Sequence, residues 1–419
     1  MADLPPNTVL LQVIPELETG GAEQTTLDIA AAVVATGGRA LVASQGGRME
    51  ARLAAAGGEL VRMPAASKNP LVMAGNAARL AQLIRRERVT LVHARSRAPA
   101  FSALRAAKAT GVPFVATYHG VYNARTPLKR WWNAVMTRGD LVIANSAYTR
   151  DHVLAEHGVD PERVVAIPRG VDLARFDPEA VSPERVRALC DAWELEGDGP
   201  RPKLLLAGRL TRWKGQALMI EAASRLIEQG GCPDLLVLMA GDDQGRGAYR
   251  AELERMIVDA GLSENVRLVG HVDDMPAAYK LADLAAAPSV EPEAFGRTAV
   301  EPQAMARPVL AADHGAVRET VLQDETGWRV TPGDADAWAA ALAHALAVGP
   351  ERWAAMGRAG QARARALYSV EAMQAATLDA YQRVLGDRSS PMPKSMGKGD
   401  REAVEGAGLS ASSPASLDG

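Results

Sequence analysis

"LLLAGRLTRWKG", residues 204–215, passes within one step from an uncharged apolar run to a guanidinium, with an ammonium and a second glycine close behind. A short run of this kind, closed by Gly208, reads as a strand buried on both faces of a parallel sheet. In an open parallel sheet, ligands settle beyond the carboxyl ends of the strands. Arg209 and Lys214 would converge there, and two such cations suit a diphosphate because they neutralise charge that builds on a departing phosphate. An ordinary basic loop is the alternative.

The same pattern repeats outward in "DLLVLMAG" (234–241), "VRLVG" (266–270), "LADLAAAPS" (281–289), "RPVLAAD" (307–313) and "GWRV" (327–330). Helical segments lie between these runs. The earlier half carries strand candidates at Val9 to Pro15, Arg39 to Ser44, Thr90 to Ala94, Pro113 to Thr117, Leu141 to Ala144 and Val164 to Pro168. Such alternation predicts α/β architecture with two doubly wound parallel-sheet lobes. A length of 419 residues agrees, since a domain takes roughly 150 residues.

The expected division is a first lobe over 1–172, a connection over 173–202 rich in Pro, Gly and charge, and a second lobe over 203–368. A helix over 369–387 is free to return to the first lobe. A small, polar tail over 388–419 lacks aromatic residues and is expected to be disordered.

Composition narrows the function. Hydrophobic residues at 47% and charged residues at 23% fit a globular protein, and a net charge of −3 does not suggest nucleic acid as a partner. Cys190 and Cys232 stand far apart, so neither a disulfide framework nor a zinc site is expected, and a reducing cytoplasm fits best. The opening residues do not read as a signal peptide, and no run of ~18 apolar residues is long enough to cross a bilayer.

Several further strand ends carry candidate chemistry. "ETGGAE" (18–23) places Gly20 and Gly21 where backbone can approach a ligand, or simply makes a tight turn. "VATYHG" (115–120) puts His119 past a strand, as a substrate contact or a structural imidazole. "VHARSR" (92–97) ends in Arg95 and Arg97, facing an anionic acceptor or solvent. In "PSVEPEAFGRTAVEP" (288–302) a helix starting near Gly296 would aim its N–H groups at an anion. Glu293 and Glu301 would repel a phosphate, so sugar hydroxyls suit them better. Dipole complementarity and a solvated helix face are their structural alternatives. Asp334 and Asp336 in "PGDADAW" look like a DxD metal motif but precede a helical pattern, where an N-cap is expected.

Taken together these residues resemble the retaining nucleotide-sugar glycosyltransferases of family 4, with the GT-B fold. The resemblance extends over residues 8–386. It is carried in the second half by "GRLTRWKG", "NVRLVGHV", "PSVEPEAFGRTAVE", "DHGAVRE" and "ETGWRV", in that order, and in the first by "GGAE", "YHG", "VIANSAYTR" and "IPRGVD". It implies two Rossmann-like lobes facing a cleft. It also implies that Arg209 and Lys214 bind the donor diphosphate, that Glu293 and His119 touch the transferred sugar, and that Phe295 and Gly296 offer close backbone. Glu301 would hold the ribose, Gly270, His271 and Val272 would meet the base, and Gly21 would lie near the diphosphate. Glu291 has no role in this scheme.

The resemblance implies transfer of a sugar from a nucleotide-sugar to an acceptor hydroxyl with retention, with neither cofactor nor metal. The acceptor expected is a glycan or glycolipid of lipopolysaccharide or envelope synthesis. A sugar-nucleotide epimerase or phosphorylase of the same fold, and a non-catalytic sugar-nucleotide-binding protein, are the competing classes. Lys129, Arg130, Trp131 and Trp132 in "LKRWWNAVMTRGD" (128–140) suit peripheral contact with the inner membrane, or a helix packing its tryptophans inward. Three departures from the family pattern stand out. They are Pro302 and Ala306, where alanine and glycine are common, and Arg169, where asparagine is usual. Pro302 removes an N–H from the helix, and a left-handed Ala306 costs ~1 kcal/mol.

Overall fold

The computed structural model describes residues 4–386 except 19, 123, 196–200 and 246, so the tail expected over 388–419 lies outside the described residues. Two all-parallel sheets build the molecule. The first contains β1 (Val9–Val13), β2 (Arg39–Ser44), β3 (Glu59–Arg62), β4 (Leu91–Ala94), β5 (Phe114–Tyr118), β6 (Leu141–Ala144) and β7 (Val164–Ala166). Their order is β3-β2-β1-β4-β5-β6-β7. The second contains β8 (Lys203–Ala207), β9 (Leu236–Ala240), β10 (Val266–Gly270), β11 (Leu284–Ala287), β12 (Val309–Ala312) and β13 (Gly327–Val330), in the order β10-β9-β8-β11-β12-β13.

The apolar runs of the inner strands become strands because each is buried on both faces, whereas β7 and β10 at the sheet edges are only partly buried. Leu204 and Leu206 enter one core and Leu205 and Ala207 the opposite one. Leu10 and Leu11 divide in the same way between the two cores of the first sheet. β3 was not anticipated because it is an edge strand of partly exposed residues and shows no apolar run. In each sheet the order in which strands are added reverses beside the first strand, between β1 and β4 and between β8 and β11. Those switch points leave open crevices at the carboxyl ends, and the two crevices face each other.

Within the expected connection, the described residues 173–195 do more than connect. Phe176, Val181, Trp193 and Leu195 are buried in the second lobe's core, and Arg185 bonds Asp274 through two nitrogens at 2.7 and 2.6 Å. The lobes are linked where Val171 pairs in parallel with Ser369, its N–H donating to the Tyr368 carbonyl at 2.7 Å. Beyond that pairing, helix Val370–Gly386 buries Met373, Leu378 and Tyr381 in the first lobe's core, beside Leu10 and Ile29. Among the described residues, no helix is long and apolar enough to cross a membrane.

Candidate active site

The loop after β11 and the 3-10 turn Arg212–Lys214 after β8 meet at one ion pair: the Lys214 ammonium donates to Glu293 Oε1 at 2.5 Å. Both side chains are largely buried, and the Ser289 hydroxyl donates to the same oxygen at 2.7 Å. The "DHGAVRE" loop after β12 supports this arrangement from behind. Its Ala316 N–H donates to the Glu293 carbonyl at 2.9 Å, and its His314 contacts the Ser289 carbonyl at 2.8 Å. Gly315 stands there with φ +59°, and a Cβ on it would lie 2.5 Å from the Glu293 carbonyl oxygen.

Helix Arg297–Ala304 begins at Gly296, whose φ of +81° is left-handed and which leaves the N-terminus without a side-chain cap. The helix carries Pro302 inside it and ends shortly after, with Ala306 at φ +55°. Glu301 lies on this helix, and Arg297 one turn earlier donates to its Oε1 at 3.0 Å. Phe295 is buried with its ring against Tyr368, so only its backbone is available to a ligand. Arg209 is exposed at the β8 end, reaching Gln244 Oε1 at 3.4 Å.

These groups surround two adjoining cavities that share Gly208, Arg209 and Thr298. One, of about 540 Å³, lies between the lobes and is lined by His119 and Arg169 on one side and by Arg209, Lys214, Glu293 and Gly296 on the other. The exposed Glu291 also lines it. The second, of about 600 Å³, is lined by Gly21, His271, Val272 and Glu301. Gly270 is set back at the end of β10, accepting from the Gly241 N–H at 2.7 Å.

In the first lobe, His119 follows β5. Its carbonyl accepts from Asn145 Nδ2 at 3.1 Å, its Nδ1 lies 3.1 Å from Arg169 Nη2, and its Nε2 is buried without a partner among the described residues. Burial first, then Arg169 and Arg95, hold the imidazole well below its usual range, so it is neutral. Burial and the nearby Arg297 pull the Arg169 guanidinium down to about 10.

Arg95 corrects the sequence reading. It faces neither acceptor nor solvent but is 2% exposed, with Nε and Nη2 on Gln12 Oε1 at 2.8 and 2.5 Å. A strand-end arginine can be held inside by a neutral amide from a neighbouring strand, and Gln12 of β1 supplies one. Arg97 does face a cavity. It donates to Asn133 at 2.8 Å, lies over the Tyr122 ring at 3.9 Å, and helps line a space of about 880 Å³ with Lys68, Lys129 and Trp132. Among the described residues no aspartate or glutamate lines that space, and Val121 borders both it and the cavity between the lobes. Trp132 packs on Phe101 at 4.5 Å, whereas Trp131 is 50% exposed and Leu128 is 73% exposed. Both rings touch Phe101, Trp131 with centroids 5.4 Å apart, and Trp132 is half-buried, so the pair packs partly inward while Trp131 keeps an exposed face. Asp334 caps helix Ala335–Ala347, accepting from the N–H groups of Asp336 and Ala337.

Sequence reasoning did not place Arg169, Asn145 or Arg297 at the site. The one available signal was the cation at position 169, three residues beyond a strand, in "IPRGVD".

Comparison with known proteins agrees with this geometry. Residues 19–175 match the model of Glycosyltransferase Family 4, and residues 191–363 match that of Glycosyl transferases group 1. The glycosyltransferase from Rickettsia africae ESF-5 superposes with a TM-score of 0.84 and 31% identity, over 91% of this chain and 99% of that one. Anabaena Alr3699/HepE in complex with UDP and glucose shares the fold, with a TM-score of 0.77 and 23% identity over 90% of this chain and 100% of that one. The D-inositol 3-phosphate glycosyltransferase of Kineococcus radiotolerans is 33% identical over 272 residues, which is 61% of this chain and 60% of that protein. The chain thus spans about three fifths of the length of the curated relatives it matches, at 60% and 64% for two of them. With its paired Rossmann-like lobes and its cations and carboxylates gathered at the facing switch points, the chain belongs to the group 1 glycosyltransferases of family 4, with the GT-B fold.

Proposed function

We propose that the chain transfers a sugar from a nucleotide-sugar donor to an acceptor hydroxyl, with retention at the anomeric carbon. The observation that carries this reading is the pair of adjoining cavities sharing Gly208, Arg209 and Thr298. The cavity bordered by Glu301, His271 and Val272 receives the nucleoside, with the carboxylate on ribose hydroxyls. The diphosphate bridges the shared wall, where Arg209, Lys214 and the N-terminus of helix Arg297–Ala304 offset its charge as the bond to the sugar breaks. The sugar enters the cavity between the lobes, beside Glu293 and His119. That HepE was solved with UDP and glucose supports a donor of this class.

No carboxylate serves as a covalent nucleophile in this reading. The acceptor hydroxyl attacks from the face the diphosphate leaves, and that diphosphate takes the proton. Catalysis then comes from positioning and from charge stabilisation in a site closed to water. Arg209 and Lys214 supply the positive charge at the leaving group, so we propose transfer without a metal, and chelator is expected to leave turnover intact.

The basic cavity of about 880 Å³ around Arg97 receives an acceptor bearing an anionic group, which a glycolipid headgroup or envelope glycan would supply. The name of the Kineococcus relative, which specifies a phosphorylated inositol, supports that class. Leu128 and Trp131, exposed beside Lys129 and Arg130, suit peripheral attachment at the cytoplasmic membrane face.

The test is a panel of nucleotide-sugars offered with and without phosphorylated polyol and lipopolysaccharide-core acceptors. Nucleotide release that requires acceptor, with an anomeric configuration retained by NMR, supports the reading. Turnover without acceptor would favour an epimerase. Donor binding without turnover across the panel would favour a non-catalytic role.

A further inference from the structure

His119 and Arg169 reach the cavity between the lobes from different strand ends, His119 after β5 and Arg169 three residues after β7. Arg169 Nη2 lies 3.1 Å from His119 Nδ1 and 3.5 Å from the His119 carbonyl oxygen. A guanidinium nitrogen can only donate. Nδ1 must therefore be the bare, accepting nitrogen of the imidazole, and the single ring proton sits on Nε2. That Nε2 is buried and has no partner among the described residues, and His119 lines the cavity between the lobes.

The guanidinium occupies space that position 21 leaves open. A Cβ on Gly21 would lie 2.0 Å from Arg169 Nη1, so the absence of a side chain at position 21 makes the room that Arg169 occupies. Gly21 still borders the nucleoside cavity, but its residue type answers to Arg169 as much as to any ligand.

We propose that Arg169 is a positioning residue that fixes His119 as the Nε2–H tautomer, so that the imidazole presents one N–H donor to a hydroxyl oxygen of the sugar in the cavity. Nε2 then cannot accept a proton from the attacking hydroxyl, and His119 acts by orientation and hydrogen bonding. Burial and the neighbouring arginines, which keep the ring neutral, reinforce this state. The identity of the ligand oxygen rests on the function proposed above; the tautomer does not.

The experiment begins with the unliganded protein labelled with 15N-histidine. The His119 signals, assigned by their loss in His119→Gln, are expected to show a pyridine-type Nδ1 and a pyrrole-type Nε2. Arg169→Asn, whose amide can accept as well as donate, is expected to give a mixture of tautomers. Arg169→Lys, which can only donate, keeps the wild-type pattern. In transfer assays Arg169→Asn is expected to lower kcat by about 10- to 100-fold, as misorientation of a site group does. The double variant with His119→Gln should be no slower than His119→Gln alone. A protonated Nδ1 or a charged ring in the wild type overturns the proposal, as does an unchanged tautomer in Arg169→Asn or multiplied losses in the double variant. If no donor is turned over, the glycosyltransferase reading fails while the NMR result still decides the tautomer.

Discussion

Glu319 of the second lobe takes the Tyr148 N–H of the first lobe at 2.6 Å, and its other oxygen takes the neighbouring Ala147 N–H at 2.8 Å. A carboxylate from one lobe thus completes the N-terminus of helix Ala147–His157 in the other. Beside it, the Ser146 hydroxyl donates to the Ala294 carbonyl at 2.6 Å, one residue after Glu293. The two lobes are latched at the edge of the cleft that would exclude water.

Glu319→Gln keeps the shape but replaces a charged acceptor. Hydrogen bonds to charged groups contribute ~1.5–3 kcal/mol, so the closed form should lose at least about tenfold in population against an open one. Small-angle scattering should show a larger radius, and acceptor-dependent transfer should slow. An unchanged radius and rate would mean that the latch is incidental.

Lys214→Met leaves Glu293 without its cation in a site where both side chains are only 12% and 13% exposed. Stability should fall by ~3 kcal/mol, the lower end for breaking a buried pair, and transfer by at least ~100-fold through loss of leaving-group stabilisation. Adding Glu293→Gln should restore most of the stability and none of the transfer. Recovery of both would show that Lys214 serves the fold alone.

His93 is buried between Tyr381, whose hydroxyl is 2.5 Å from Nδ1, and Thr117, 2.7 Å from Nε2. Burial, then Arg95 and His119, hold its pKa well below the usual range, as burial does for His119. Below pH ~6.5, unfolded chains take up protons at both rings while the folded chain does not. Stability is therefore present above the unfolded value and is lost as pH falls, by up to ~1.4 kcal/mol per unit for each ring. Asp28, whose carboxyl burial pushes up, acts in the opposite sense at lower pH. Urea midpoints should drop between pH 7.5 and 5.5; a flat profile would contradict the assignment.

Ala306 holds a left-handed conformation at φ +55° where helix Arg297–Ala304 ends. That conformation costs an alanine ~1–2 kcal/mol, and a glycine there gives back ~0.4–1 kcal/mol through its freer unfolded chain. Ala306→Gly should thus raise stability by up to ~1.6 kcal/mol without changing transfer. Gly357→Ala should do the reverse, because its Cβ would lie 2.1 Å from the Ala306 carbonyl oxygen. Melting temperatures of the two variants should move in opposite directions.

The strand runs, the glycines that end them and the cations at Arg209 and Lys214 were legible along the chain. A strand buried on both faces must be apolar throughout, and the swing to charge at its end is local. Edge strand β3 was not legible, because partial exposure leaves no periodic signature. The partnerships were also out of reach. Gln12 holding Arg95 spans 83 residues of sequence, Arg169 meeting His119 spans 50, and Glu319 meeting Tyr148 spans 171. Residue order determined two wound sheets and which strand ends carry chemistry. Only the tertiary structure decided which charges are spent internally, which face the cleft, and which nitrogen of His119 holds its proton, because each depends on groups brought together by sheet order and lobe docking.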